Sequence, residues 1–154
     1  MPAGNPAVIE ALRSSLRLHW EAIEFYSAYA AWIRPQYPKL GTKYSTESAE
    51  ERGHAEALLD RLRFFREPGV FDHADPTVPT EGFDWFLSAA LTLETLAANV
   101  EESNVLVCRQ AGDERSALVF AELLAGSQAS ILEIEAAQAT IEEIGLENYL
   151  AAFL

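Results

Sequence analysis

Glu50-Glu51-Arg52-Gly53-His54-Ala55 lies in a run without proline from position 41 to position 67. On a helix, Glu51 and His54 stand three residues apart, so their side chains leave the same face about one turn from each other. A carboxylate and an imidazole so placed can hold one metal ion. The same pair also suits a solvated helix face, so the rest of the chain has to decide between the two readings.

The chain has 154 residues, 49% of them hydrophobic, which suits a single domain over residues 1–154 with a sizeable core. Eleven Lys+Arg against 24 Asp+Glu give a net charge of -13. That balance disfavours nucleic acid and anionic membrane surfaces and favours cations or plain solubility. The single Cys108 excludes an intrachain disulfide framework and a cysteine-rich zinc site, and suits a reducing compartment. No N-terminal basic-plus-apolar signal and no long uninterrupted apolar run are evident. The expectation is a soluble, cytoplasmic protein with no membrane partner.

Asn5-Pro6 supplies an N-cap and a first-turn proline, and apolar residues recur at Val8, Ile9, Leu12, Leu16, Ile23 and Tyr26. This predicts a helix to about Ile33, stopped by Pro35 and Pro38. Ser45 or Thr46, followed by Glu47, Glu50 and Glu51, caps a second helix that begins there or as early as Thr42 and runs to about Arg66. Residues 67–81, with four of the chain's Pro and Gly, read as a crossover rather than a tight turn. A third helix opens near residues 80–82 and ends before Gly112; Asp113 caps a fourth, which runs to Gly145. Residues 146–154 form a short apolar fifth helix that should dock on its own bundle or on another subunit.

Four helices, each roughly 40 Å long at about 1.5 Å per residue, with short first and last links and a long middle one, specify an all-α four-helix bundle with one crossover. That is the topology of ferritin-like folds, whose dinuclear sites take one Glu from each of two helices and a Glu-x-x-His pair from each of the other two. Glu51 and His54 fill one pair. Glu94 stands in the apolar segment Ala90-Leu91-Thr92-Leu93-Glu94-Thr95-Leu96-Ala97-Ala98, where its neighbours read as core, and is expected to face inward.

On these residues the chain resembles bacterioferritin over nearly its whole length. The resemblance is carried by Val8-Ile9, Glu47-Ser48-Ala49-Glu50-Glu51-Arg52-Gly53-His54-Ala55, Leu93-Glu94, and the ending Ile144-Gly145-Leu146-Glu147-Asn148-Tyr149-Leu150. It places the family's second Glu-x-x-His at Ser127 and Ser130, the family's lone glutamate at His19, and a family tyrosine near the metals at Tyr26. It also places the methionine that holds a shared haem at Arg52, and the one methionine of the chain is Met1, which is discounted as a ligand. The resemblance therefore implies a bacterioferritin variant without the haem ligand and without half of the diiron centre.

His19, Glu51, His54 and Glu94 are the candidate metal ligands, two imidazoles and two carboxylates suited to iron, zinc or manganese. No residue is assigned a catalytic role. The competing account makes them polar residues of the bundle satisfied by one another. Glu47, Glu50, Glu101 and Glu102 line a cage interior or simply a solvated face, and the tryptophans belong to core and subunit interface. Three functions follow: an iron-storage cage subunit with a degenerate ferroxidase centre, holding one iron per subunit and no haem; a ferroxidase working with its variant site; or a structural bundle without metal. In the first, dimers build a closed cage of about 24 subunits, alone or together with a complete bacterioferritin subunit.

Overall fold

The computed structural model describes residues 3–154; Met1 lies outside them. Its helices, in chain order, are α1 (Pro6–Ile33), α2 (Pro38–Phe64), α3 (Phe83–Gln110), α4 (Glu114–Ile144) and α5 (Leu146–Ala151), and there is no strand among the described residues. α1 begins where the Asn5 side chain accepts the Ala7 amide hydrogen at 2.9 Å, with Pro6 in the first turn, where a missing N–H leaves no bond unmade.

α2 starts earlier than the 42–46 expected from its caps. Pro38, read in the sequence as a second stop for α1, is instead the first residue of α2. A proline cannot continue a helix that reaches it from the N-terminal side, yet its fixed φ is already that of a helical first turn. Only residues 34–37 link the two helices. At the far end α2 stops at Phe64, short of Arg66, because Arg66 takes a left-handed φ of 60°. The Glu67 amide then closes on the Leu62 carbonyl at 2.9 Å, a bond that satisfies one of the last helical carbonyls.

The crossover is pinned along the bundle by side chains of α1. Trp20 donates its indole N–H to the Val70 carbonyl at 2.8 Å, Arg13 pairs with Glu67 at 2.7 Å, and Arg17 with Asp72 at 3.1 Å. Trp20 thus serves the crossover, whereas Trp32 and Trp85 remain exposed. The fifth helix is shorter than expected, ending at Ala151, and docks on its own bundle: Leu150 is buried and the Tyr149 ring stacks on Phe83 at 5.8 Å.

α1 packs chiefly on α2 and α3 on α4, so the molecule is two helical hairpins face to face. Their interior is divided. One apolar cluster joins Val8, Leu12 and Leu16 to Leu58, Leu62 and Phe120. The other is aromatic and joins Tyr26, Tyr29 and Tyr44 to Phe83, Phe86 and Leu150. Between them along the helix axes lies a buried polar layer: Ser15 and His19 on α1, Glu51 on α2, Glu94 and Glu101 on α3, and Ser127 on α4.

The cap of α4 offers a direct test of how its start is fixed. Asp113 accepts the Ser116 amide hydrogen at 3.0 Å and the Ser116 hydroxyl hydrogen at 2.6 Å, and Arg61 reaches the same carboxylate at 3.4 Å. Asp113→Ala is expected to lower stability by about 1 to 2 kcal/mol in urea denaturation, the range for loss of a side-chain N-cap. An unchanged midpoint would show that Asp113 does not set the start of the helix.

Candidate metal centre

The centre is built from α1 and α2, which run against each other. Burial of the stripe that includes Leu12, Leu16, Ile23 and Tyr26 turns His19 inward, and burial of Ala55 and Leu58 turns Glu51 inward. His54, one turn from Glu51, is half-buried. Ligand atoms of His19, Glu51 and His54 all lie within 4.8 Å of one another. Glu51 Oε2 is the hub, 2.6 Å from His19 Nδ1 and 3.4 Å from His54 Nδ1. The two imidazoles meet edge to face at 5.3 Å.

Glu94 is buried but stands outside this group of three, where its Oε1 accepts the Tyr26 hydroxyl hydrogen at 2.7 Å. The residue that sequence reasoning missed is Glu101, assigned with Glu102 to a cage interior or a solvated face and found at 0% exposure. Its Oε1 accepts from Ser15 Oγ at 2.5 Å and from His19 Nε2 at 3.2 Å. The signal was in the spacing, since Glu101 is seven residues from Glu94 and shares its helix face.

α4 closes the centre from the opposite side. A Cβ on Gly126 would come within 3.2 Å of the His54 ring, so the absence of a side chain there lets the helix approach the imidazole. Ser127 is buried, and Ser130 lines a cavity of about 40 Å³ together with Tyr26, Tyr44, Glu47 and Glu133. That volume is enough to hold ordered water among these polar groups.

Burial by itself would push the His19 imidazole down and is the strongest single influence on it. The hydrogen bonds to Glu101 and Glu51, with the two negative charges, together outweigh burial and raise the pKa to about 9. Burial would raise Glu51, but hydrogen bonds from His19 and His54 and their charges hold it at about 2. Glu94 is pushed up to about 8 by burial and then by the charge of Glu51, against the Tyr26 hydrogen bond. At neutral pH the layer therefore holds an imidazolium between carboxylates, with a neutral carboxyl beside it.

Residues 9–144 match the family described as Ferritin-like domain. The chain is 30% identical over 147 residues to a bacterioferritin of Brucella melitensis biotype 1, across 95% of this chain and 91% of that protein. It is 29% identical over 150 residues to a bacterial ferritin of Synechocystis sp., across 96% of each. A bacterioferritin of Rhodobacter capsulatus matches at 27% over 150 residues.

These shifts set a pH dependence for the metal-free fold. The raised pKa of His19 gives stability that is fully present below 6.5 and lost as pH rises through about 9. The depressed Glu51 gives stability present above 4.5 and lost as pH falls through about 2. Glu94, which binds its proton more tightly when folded, subtracts stability as pH climbs from 4.5 to about 8. The melting temperature of chelator-treated protein is expected to peak on the acid side of neutrality and fall by pH 9.5. Glu94→Gln should remove the share of the fall that runs from 4.5 to about 8 and leave the share that His19 loses between 6.5 and about 9. A flat profile between pH 6 and 9.5 would contradict the assignment.

Proposed function

The chain belongs to the ferritin-like domain family, and from that premise we propose that it is an iron-storage subunit of bacterioferritin type whose own ferroxidase centre is degenerate. One observation carries this reading. His19, Glu51 and His54 converge within 4.8 Å, while α4, which approaches the His54 ring at Gly126, carries next to it the buried Ser127, a hydroxyl where the family resemblance puts a glutamate. Ferrous iron is the cargo, and a single ion suits two imidazoles and a carboxylate. A second ion would add two positive charges to a buried layer in which Glu94 keeps its proton, and Ser127 and Ser130 supply no anionic ligand. Two-iron chemistry is therefore disfavoured.

Assembly is part of the same reading. The most apolar 18-residue window of α4 has a mean hydropathy of 1.4, enough by length and composition to cross a membrane, yet only 22% of it is buried. That exposed face, with Leu118 and Leu132, suits contact with further copies. Dimers building a closed cage of about 24 subunits would cover it, alone or with a subunit that carries a complete centre. Haem does not fit, because Arg52 on the exposed side of α2 offers no sulfur to a porphyrin iron and places a charge where its face would lie.

The purified protein, loaded anaerobically with Fe(II) and then given oxygen, should oxidise iron slowly, retain mineral, sediment as a large assembly and show no methionine-ligated haem band. Loss of all iron on gel filtration would overturn the storage role. The second reading, an active ferroxidase using the variant site, is favoured by the convergence of His19, Glu51 and His54 and would announce itself as fast stoichiometric oxidation.

Rebuilding the missing half-site tests the degeneracy itself. Ser127→Glu with Ser130→His and His19→Glu should turn slow oxidation into rapid oxidation, at about 1 to 3 kcal/mol of overpacking where the cavity is too small. Equal slow rates in parent and triple variant would show that the defect lies elsewhere.

A further inference from the structure

We propose that Glu101 is a positioning residue, the outer member of a carboxylate, imidazole and metal chain that commits His19 to bind one divalent transition-metal ion through Nδ1. The inference rests on the metal reading above and adds to it which histidine atom is the ligand and what holds it.

Glu101 is wholly buried, and its Oε2 has no protein partner. Everything it does in the fold passes through Oε1, which accepts from Ser15 at 2.5 Å and from His19 Nε2 at 3.2 Å. A half-satisfied buried carboxylate is more expensive than a leucine of similar volume would be. What it provides is orientation of the ring. With the Nε2–H given to Glu101, Nδ1 is the one ring nitrogen left to meet a cation, and it faces Glu51 Oε2 at 2.6 Å, the oxygen that His54 Nδ1 also approaches.

An ion bound at that point takes the place of the Nδ1 proton, which leaves to solvent, so His19 becomes a neutral ligand and Glu51 stays anionic. The result is two imidazoles and one carboxylate with further positions open, a mononuclear set suited to Fe(II), Co(II), Mn(II) or Zn(II). Metal-bound histidines are generally held this way, their second N–H given to a carboxylate that fixes the ring and raises its basicity. Glu94 takes no part, since Tyr26 holds it elsewhere.

The test uses Co(II) on the full-length assembled protein, with Glu101→Gln and Glu101→Leu beside the parent. The parent should bind one Co(II) per subunit and show a slowly exchanging, hyperfine-shifted N–H resonance from the buried His19 Nε2. Glu101→Leu should weaken Co(II) binding by about 10- to 100-fold and lose the slow exchange of that resonance. Glu101→Gln, whose amide oxygen still accepts the N–H, should keep the resonance and bind with intermediate affinity. Equal affinity and an unchanged resonance in the leucine variant would overturn the proposal. If that variant does not fold, an unchanged affinity in Glu101→Gln overturns it instead. A parent that takes up no Co(II) overturns both this inference and the metal centre, while mineral retention by the assembly remains a separate measurement of the storage role.

Discussion

The interior of this bundle turns on one imidazolium held between two buried carboxylates. His19 touches Glu51 on α2 through one nitrogen and Glu101 on α3 through the other, and all three are almost fully buried. None of them would be tolerable alone, since an unpaired ion in such a place costs several kcal/mol. Together they form a charged layer that the two apolar clusters can enclose. The arrangement also explains why Glu94, a short distance along α3, keeps its proton: the layer already carries more negative than positive charge, and a further carboxylate meets both burial and Glu51.

The same layer holds the positions at which the resemblance to bacterioferritin breaks. Ser127 and Ser130 stand where the resemblance would put a second Glu-x-x-His, and His19 stands where it would put a glutamate. The three substitutions are coherent. Removing ligands on α4 lowers the negative charge available to a second ion, and a histidine on α1 brings its own positive charge into the layer. Glu101 then supplies the counterion. The layer keeps three convergent ligand atoms and an excess of negative over positive charge.

Much of the fold was legible in the sequence. The Asn5-Pro6 start, the Asp113 cap, the Pro- and Gly-rich crossover and the glycine before α5 act locally, and each lies where its chemistry put it. Pro38 was misread because proline is a stop in one direction and a start in the other, and only the helix geometry on both sides separates the two. In the site, Glu51, His54 and an inward Glu94 followed from helical spacing and apolar neighbours. Glu101 did not, because its companion Glu102 and the exposed Ser103 give that turn the look of a solvated face. Nor does spacing tell that Glu94 would be claimed by Tyr26, a partner 68 positions distant.

The two-hairpin construction has a consequence for alignment during folding. Within α1 and α2, or α3 and α4, short range in sequence fixes which turn meets which. Between the hairpins the matching surfaces are mostly apolar side chains, and such surfaces accept a slip of one helical turn, about 5.4 Å, with modest loss. Ser15 to Glu101, His19 to Glu101 and Tyr26 to Glu94 all cross from α1 to α3. A slipped docking would break all three bonds, leaving Ser15, Tyr26, Glu94 and Glu101 dry and unpaired and His19 with Glu51 alone. The polar layer thus acts as a vernier for the assembly of the bundle, admitting one register between the hairpins and rejecting its neighbours on either side.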